Sequence, residues 1–215
     1  MLRQNKGKFL ISSAVILLPI LAGLFLWQKL PEEVATHFNF RGEADGWSSR
    51  TFGVFGLPLI LLGAHLFCII LTSVDPKSKN IGSKPISLLF WLMPAVSLVM
   101  NGALYAYALG MQIGIGTVCM LLLGAMCIVL GNYLPKVRQN YSFGVKVSWA
   151  LDDPENWAAT QRVGGWSLVI GGLILLATAF WPNLWIILFT VLLSSLAPVV
   201  YSFCYYKRHR KERDL

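Results

Sequence analysis

The chain has 215 residues, of which 56% are hydrophobic and 13% charged, with a mean hydropathy of +0.62. Soluble domains carry about 25% charged residues, so this composition excludes a water-soluble globular fold and indicates a polytopic membrane protein. The net charge of +8 invites a nucleic-acid reading, but its placement along the chain assigns it to the membrane instead.

Six apolar runs approach the roughly 20 residues that a bilayer crossing needs. They cover about 9–28, 52–73, 86–109, 111–131, 165–180 and 184–204. The first is too long for the apolar core of a signal peptide. Its flank Gln28-Lys29-Leu30-Pro31 has no small-residue cleavage site, so it reads as a retained helix. The fifth is short and is expected to begin inside the loop before it.

With the N-terminus inside, Arg3, Lys6, Lys8, Lys77, Lys79, Lys84, Lys136, Arg138, Lys146 and Arg162 all fall on the cytoplasmic side. So does the tail cluster Lys207, Arg208, Arg210, Lys211 and Arg213; only Lys29, Arg41 and Arg50 fall outside. The positive-inside rule therefore predicts that both termini are cytoplasmic. The tail reads as an orientation signal and a contact for membrane lipids with anionic headgroups, and no direct nucleic-acid binding is expected.

The first loop, 29–51, is the outer polar island. Pro31-Glu32-Glu33 suits the first turn of a short helix, where acids complement the helix dipole. Residues 36–40 read as extended, and Asp45-Gly46 is a turn signal. His37, Asn39, Glu43 and Asp45 are placed to converge around that turn. In the spans, His65 and Asn101 are the notable polar residues. Intramembrane polar groups are costly, and one interhelical hydrogen bond each is the simplest role for them. Cys68, Cys119, Cys127 and Cys204 all lie in spans without CxxC or metal-ligand spacing. They read as small buried hydrophobes, and no metal or cofactor is expected.

The inner loop, 132–164, is too long for a mere connector and too aromatic for disorder. From Tyr141 to Trp149 apolar and polar residues alternate, predicting a short extended segment. Asp152 is the expected N-cap of a following helix, with Pro154 in its first turn and Glu155 at the third helical position, close to a capping box. Gly164-Gly165 would end or hinge that helix, and Trp157 would sit at headgroup depth.

Three spans precede Met111 and three follow it, giving halves 1–110, with the outer loop 29–51, and 111–215, with the inner loop 132–164 and the basic tail 205–215. In each half the first span ends in Leu-Pro (Leu30-Pro31, Leu134-Pro135) before the longest loop. Odd-numbered halves of this kind would be inverted across the membrane. The predicted fold is thus an all-α membrane protein with six transmembrane helices, both termini cytoplasmic, an inverted 3+3 repeat and one structured loop on each face.

The run Gly131-Asn132-Tyr133-Leu134-Pro135-Lys136, with Asn140-Tyr141, Phe143-Gly144, Trp149, Leu151, Trp157, Thr160, Arg162 and Gly164-Gly165, resembles the C-terminal region of the SdpI family. These are bacterial multi-pass immunity proteins against a secreted killing peptide. Leu30-Pro31, Val34, His37-Phe38-Asn39, Gly42 and Asp45-Gly46-Trp47-Ser48 resemble the N-terminal domain found in the same family. Two motifs in the right order make the resemblance specific. The chain departs from the family pattern at Lys146, where an arginine is usual, and at Gln161, where a histidine is usual. A lysine point charge replaces a bidentate fork, and the titratable imidazole is gone.

The resemblance implies resistance to a membrane-active killing peptide, with a secreted peptide as the partner outside. It also implies signalling through a transcriptional repressor held at the inner face. The outer recognition residues would be His37, Asn39, Gly42, Glu43, Asp45 and Trp47. The inner signature would be Asn132, Pro135, Asn140, Gly144, Lys146, Trp149, Trp157 and Arg162. Two other classes compete. A transporter or lipid-handling scaffold fits the repeat but not the spans, which carry no Asp, Glu, Lys or Arg. An intramembrane enzyme could use Glu32-Glu33, but the chain has no HExxH motif and no GxSxG elbow. The expectation is a non-enzyme.

Overall fold

The structure, a computed structural model, describes residues 5–39 and 41–213, with the side chains of 210–213 outside that description. Arg3 and Phe40 therefore lie outside the described residues, as do the side chains of Arg210, Lys211 and Arg213. Six helices are long and apolar enough to cross a membrane. In chain order they are α1 (Lys6–Phe25), α2 (Leu57–Val74, entered through a wide π turn at Phe52–Gly56), α3 (Ser83–Ala108), α4 (Ile115–Tyr133), α6 (Pro154–Ala177) and α7 (Leu184–Arg213). A one-turn α5 (Ser148–Leu151) precedes α6. The strands β1 (Glu33–Phe38) and β2 (Ala44–Ser49) form a two-stranded antiparallel sheet between α1 and α2. Apart from this hairpin, the all-α reading holds among the described residues.

Two compact units share the chain. One comprises 1–70, 87–122 and 178–183; the other comprises 71–86, 123–177 and 184–215. In the first unit, side chains on one helix bond to groups on another. The Ser12 hydroxyl and His65 Nε2 are 2.9 Å apart, joining α1 to α2. Ser97 and Tyr105 of α3 donate to the carbonyls of Ile16 and Pro19 at 2.8 and 3.0 Å. A helix in hydrocarbon has no water to satisfy these groups, so such bonds fix which helices pair. Leu30, Val34, Val54, Leu104 and Tyr105 form the unit's buried cluster, which seats the hairpin on α2 and α3.

In the second unit, α4 and α6 approach backbone to backbone. A Cβ at Gly131 would lie 2.7 Å from the Gly165 carbonyl oxygen, and one at Gly165 would lie 2.7 Å from that of Gly131. Gly124 and Gly172 repeat this one heptad away, at 2.9 and 2.6 Å. Glycine at these four positions lets the helices touch.

That contact corrects the expectation for Gly164-Gly165. The pair neither ends nor hinges a helix; α6 runs unbroken from Pro154 to Ala177, because tertiary contact at the glycines replaces their intrinsic helix-breaking tendency. The fifth span thus begins inside the loop before it, at Pro154, as its short apolar run led one to expect. α7 continues beyond the predicted end at 204.

Candidate functional site

The first loop folds as a β-hairpin, and its turn is not where Asp45-Gly46 placed it. Both residues lie in β2; the turn is 39–43. Asn39 builds it. Its Oδ1 accepts from the N–H groups of Arg41 and Glu43 at 2.9 and 3.1 Å, and its Nδ2 donates to Glu43 Oε2 at 2.9 Å. Gly42 has φ +79, a left-handed conformation that side chains disfavour. The expected helix at Pro31-Glu32-Glu33 does not form. Glu32 accepts from the Arg50 N–H at 2.7 Å, and Glu33 pairs with Ser49. Cross-strand pairing outweighs the local helix signal.

With a side-chain period of two, the hairpin has two faces. Val34, Thr36 and Ser48 turn inward, with Thr36 and Ser48 bonded through their hydroxyls at 2.8 Å. His37 and Asp45 project outward and bond at 2.5 Å, with side-chain exposures of 74% and 44%. Glu43 is also exposed, and Trp47 stands 58% exposed. The convergence of His37, Asn39, Glu43 and Asp45 is thus present as two bonded pairs. Among the described residues no three His, Cys, Asp or Glu side chains gather into a metal-binding group.

The second polar region is organised from within. Asn140 is fully buried and uses both ends of its amide. Its Oδ1 accepts from Ser142 and Phe143 N–H at 3.0 and 2.7 Å, while Nδ2 donates to the Arg138 and Phe143 carbonyls at 2.8 and 3.0 Å. Gly144 has φ +114, and a Cβ there would lie 2.7 Å from Gln161 Oε1. Gln161, also fully buried, clamps the backbone of Val145: Oε1 accepts from its N–H and Nε2 donates to its C=O, each at 2.9 Å. The alternating segment from Tyr141 to Trp149 therefore forms no strand. Its backbone groups at Tyr141, Ser142, Phe143 and Val145 are bonded by the side chains of Asp75, Asn140 and Gln161 rather than by a neighbouring strand.

The helix after it begins one residue later than expected. Asp153, not Asp152, caps α6, accepting from Glu155 and Asn156 N–H at 2.9 and 3.2 Å. Pro154 then takes the first helical position, where its missing N–H costs nothing. Trp157 is also not a headgroup anchor. It is 2% exposed, and its indole N–H donates to the Val137 carbonyl at 2.9 Å. Trp149 packs against Phe203 and Tyr206 of α7. Asn132, Pro135, Lys146 and Arg162 are the signature positions left exposed.

Four residues that hold this region were not singled out as site residues. Asp75, at the end of α2, accepts from Lys77 N–H at 2.7 Å, Tyr141 N–H at 2.9 Å and the Ser142 hydroxyl at 2.5 Å. Burial pushes its carboxyl up. The Ser142 hydroxyl and the N–H groups of Lys77, Tyr141 and Ser142 outweigh that and hold the pKa below the ordinary carboxylate value. Gln139 accepts from Lys77 Nζ at 3.1 Å and donates to the Leu151 carbonyl at 2.5 Å. Asn156 binds both the hydroxyl and the carbonyl of Ser202 on α7, at 2.8 and 3.1 Å. Gln161 is the fourth. The only local hint at Asp75 is a lone carboxylate among lysines just past a span.

Comparison with known proteins follows the two regions. Residues 14–62, which include the hairpin, match a domain of unknown function, DUF1648. Residues 136–202 match the SdpI/YfhL protein family. The chain is similar to the protein named Immunity protein SdpI of Bacillus subtilis (strain 168), with 26% identity over 209 residues that cover 95% of this chain and 97% of that protein. No solved structure matches. The six membrane-capable helices and these matches make the chain a multi-pass bacterial membrane protein whose residues 136–202 match the SdpI/YfhL family.

Proposed function

We propose that this chain is an immunity protein of the bacterial cell membrane that confers resistance to a membrane-active killing peptide. The observation that carries this reading is similarity to an immunity protein along nearly the full length of both chains. The hairpin supplies the recognition surface: the His37–Asp45 pair, Glu43 and the exposed Trp47 offer charge, hydrogen bonding and one aromatic anchor on a rigid support. Asn39 and Gly42 act by shaping the turn. In this proposal both termini are cytoplasmic and the hairpin faces outward.

A second, inner role is favoured by the way the 134–153 region is built. Asn140, Gly144, Trp157 and Gln161 are committed to the fold, whereas Arg162 and Lys146, whose Nζ donates to the Ser142 carbonyl at 3.3 Å, stand exposed where a partner could meet them. In the proposal this face docks a transcriptional repressor, and the basic tail meets anionic lipid.

One experiment tests both parts. Peptide-sensitive cells expressing the chain are challenged with membrane-active peptides, and soluble regulators retained on their membranes are measured. Resistance is expected to fall at least tenfold for the double variant His37→Ala, Asp45→Ala and for Trp47→Ala, at unchanged membrane levels. Regulator retention is expected to drop only for Lys146→Glu with Arg162→Glu. Full resistance in both hairpin variants would remove the recognition surface, and no protection by the wild-type chain against any peptide would remove the immunity reading.

A further inference from the structure

Beneath the inward face of the hairpin lies a cavity of about 240 Å³. Thr36 and Phe38 of β1 roof it, and its walls include Leu57 and Leu61 of α2, Met100 of α3 and Ile115 of α4. Asn101 also lines it. Asn101 is 2% exposed, and its Oδ1 has no hydrogen-bond partner. The orientation of that amide is fixed by its neighbours. Nδ2 donates to the Ser97 carbonyl at 2.8 Å, and the Ser97 hydroxyl is itself spent on the Ile16 carbonyl at 2.8 Å. Turning the amide over would set two carbonyl oxygens against each other. Asn101 therefore sets one unpartnered acceptor in the apolar wall, sealed until a neighbouring side chain gives way.

We infer that this cavity is a binding site for a flat aromatic group carrying a single hydrogen-bond donor, of which the indole ring is the type, with its N–H donating to Asn101 Oδ1. Size and polarity both select it. A cavity of about 150 Å³ lined by aliphatic side chains accepts a benzene ring, so this one has room for a second fused ring. An alkyl chain would fill the walls but leave the buried carbonyl oxygen unpaired, which is costly. A group with several polar atoms would find only Asn101 and the Thr36 hydroxyl, which is already bonded to Ser48 at 2.8 Å, and would bury the rest unsatisfied. The inference stands apart from the immunity reading, because the cavity and the Asn101 amide are features of the chain whatever the hairpin recognises.

The test uses the full chain in lipid nanodiscs and 5-fluoroindole as the probe, followed by fluorine NMR, with empty nanodiscs giving the partition background. Saturable binding displaced by indole is expected. 1-Methylindole, which keeps the ring and loses the donor, is expected to compete at least tenfold more weakly. Asn101→Leu is expected to weaken 5-fluoroindole at least tenfold, and Leu61→Trp, which fills the cavity, to abolish saturable binding. Equal competition by indole and 1-methylindole on the wild-type chain would mean a purely apolar or lipid-filled space and would overturn the inference even if Asn101→Leu failed to fold. The absence of any saturable component would overturn it as well.

Discussion

At the scale of single residues, the polar side chains of the 134–153 region act mainly on backbone. Asp75 is the clearest case, because one carboxylate holds two N–H groups and a hydroxyl from positions up to 67 residues apart. Hydrogen bonds to a charged acceptor are worth about 1.5–3 kcal/mol each. The sign of its pH effect follows from its lowered pKa. The folded form prefers the ionised carboxyl, so the stabilisation is complete above the unfolded value of about 3.9 and is lost as pH falls through the folded value. The melting temperature of the purified chain is therefore expected to drop between pH 6 and pH 3, and Asp75→Asn is expected to be less stable at pH 6 and to lose part of that acid response. An acid response unchanged by Asp75→Asn would assign it to other carboxylates. Gln161 shows the same principle without charge. Its amide matches the N–H and C=O of one residue, Val145, whereas the two nitrogens of an imidazole point apart and cannot embrace both. The departure from the family pattern at this position thus coincides with a distinct bracing of the loop.

Elements repeat the contrast between local and distant causes. The spans were legible because hydrocarbon thickness imposes a run length that sequence alone displays. The hairpin was half legible. The extended reading at 36–40 overlapped β1, but Pro31-Glu32-Glu33 and Asp45-Gly46 carried local signals that pairing across the hairpin overrode. The inner loop was legible as important yet not as a shape, since Gln161–Val145 and Asp75–Ser142 are contacts between separated stretches. Nor could periodicity tell whether Gly164-Gly165 would break a helix or seat one. The structure answers through the mutual approach of Gly131 and Gly165, whose Cβ atoms would meet the opposing carbonyl oxygens. Backbone cannot yield as a flexible side chain would, so Gly165→Ala is expected to cost about 1–3 kcal/mol, the usual cost of overpacking. Gly63→Ala in α2, where a Cβ would meet nothing within 4 Å, is expected to be neutral or slightly stabilising through helix propensity. Reversible unfolding in mixed micelles compares the two. Equal effects would show that the α4–α6 contact is not glycine-dependent.

Across the whole molecule, helices that cross in turn must deliver alternate loops to the same side. The contacts agree with that alternation. Gly42 of the first loop lies against Gly116 at the start of α4, and Gly116 lies near Pro182 of the fifth connection. On the other set, Asn80 between α2 and α3 bonds to the Gln139 carbonyl at 2.7 Å. Which set faces the cytoplasm is a matter of charge, and the lysines and arginines concentrate beside the second set and in α7's end. Each additional basic residue near a span end makes translocation of that segment less favourable, so a hairpin bearing only Lys29, Arg41 and Arg50 is the segment expected to cross. Replacing the four cysteines by serine and then introducing Trp47→Cys or Lys146→Cys gives a direct readout. In intact cells a membrane-impermeant maleimide is expected to label the first variant and not the second, with labelling of the second appearing only after permeabilisation. The reverse pattern would turn the molecule over and place the hairpin inside, where no secreted peptide could reach it. The immunity proposal would then lose its recognition surface, while the indole site beneath the hairpin would stand unaltered.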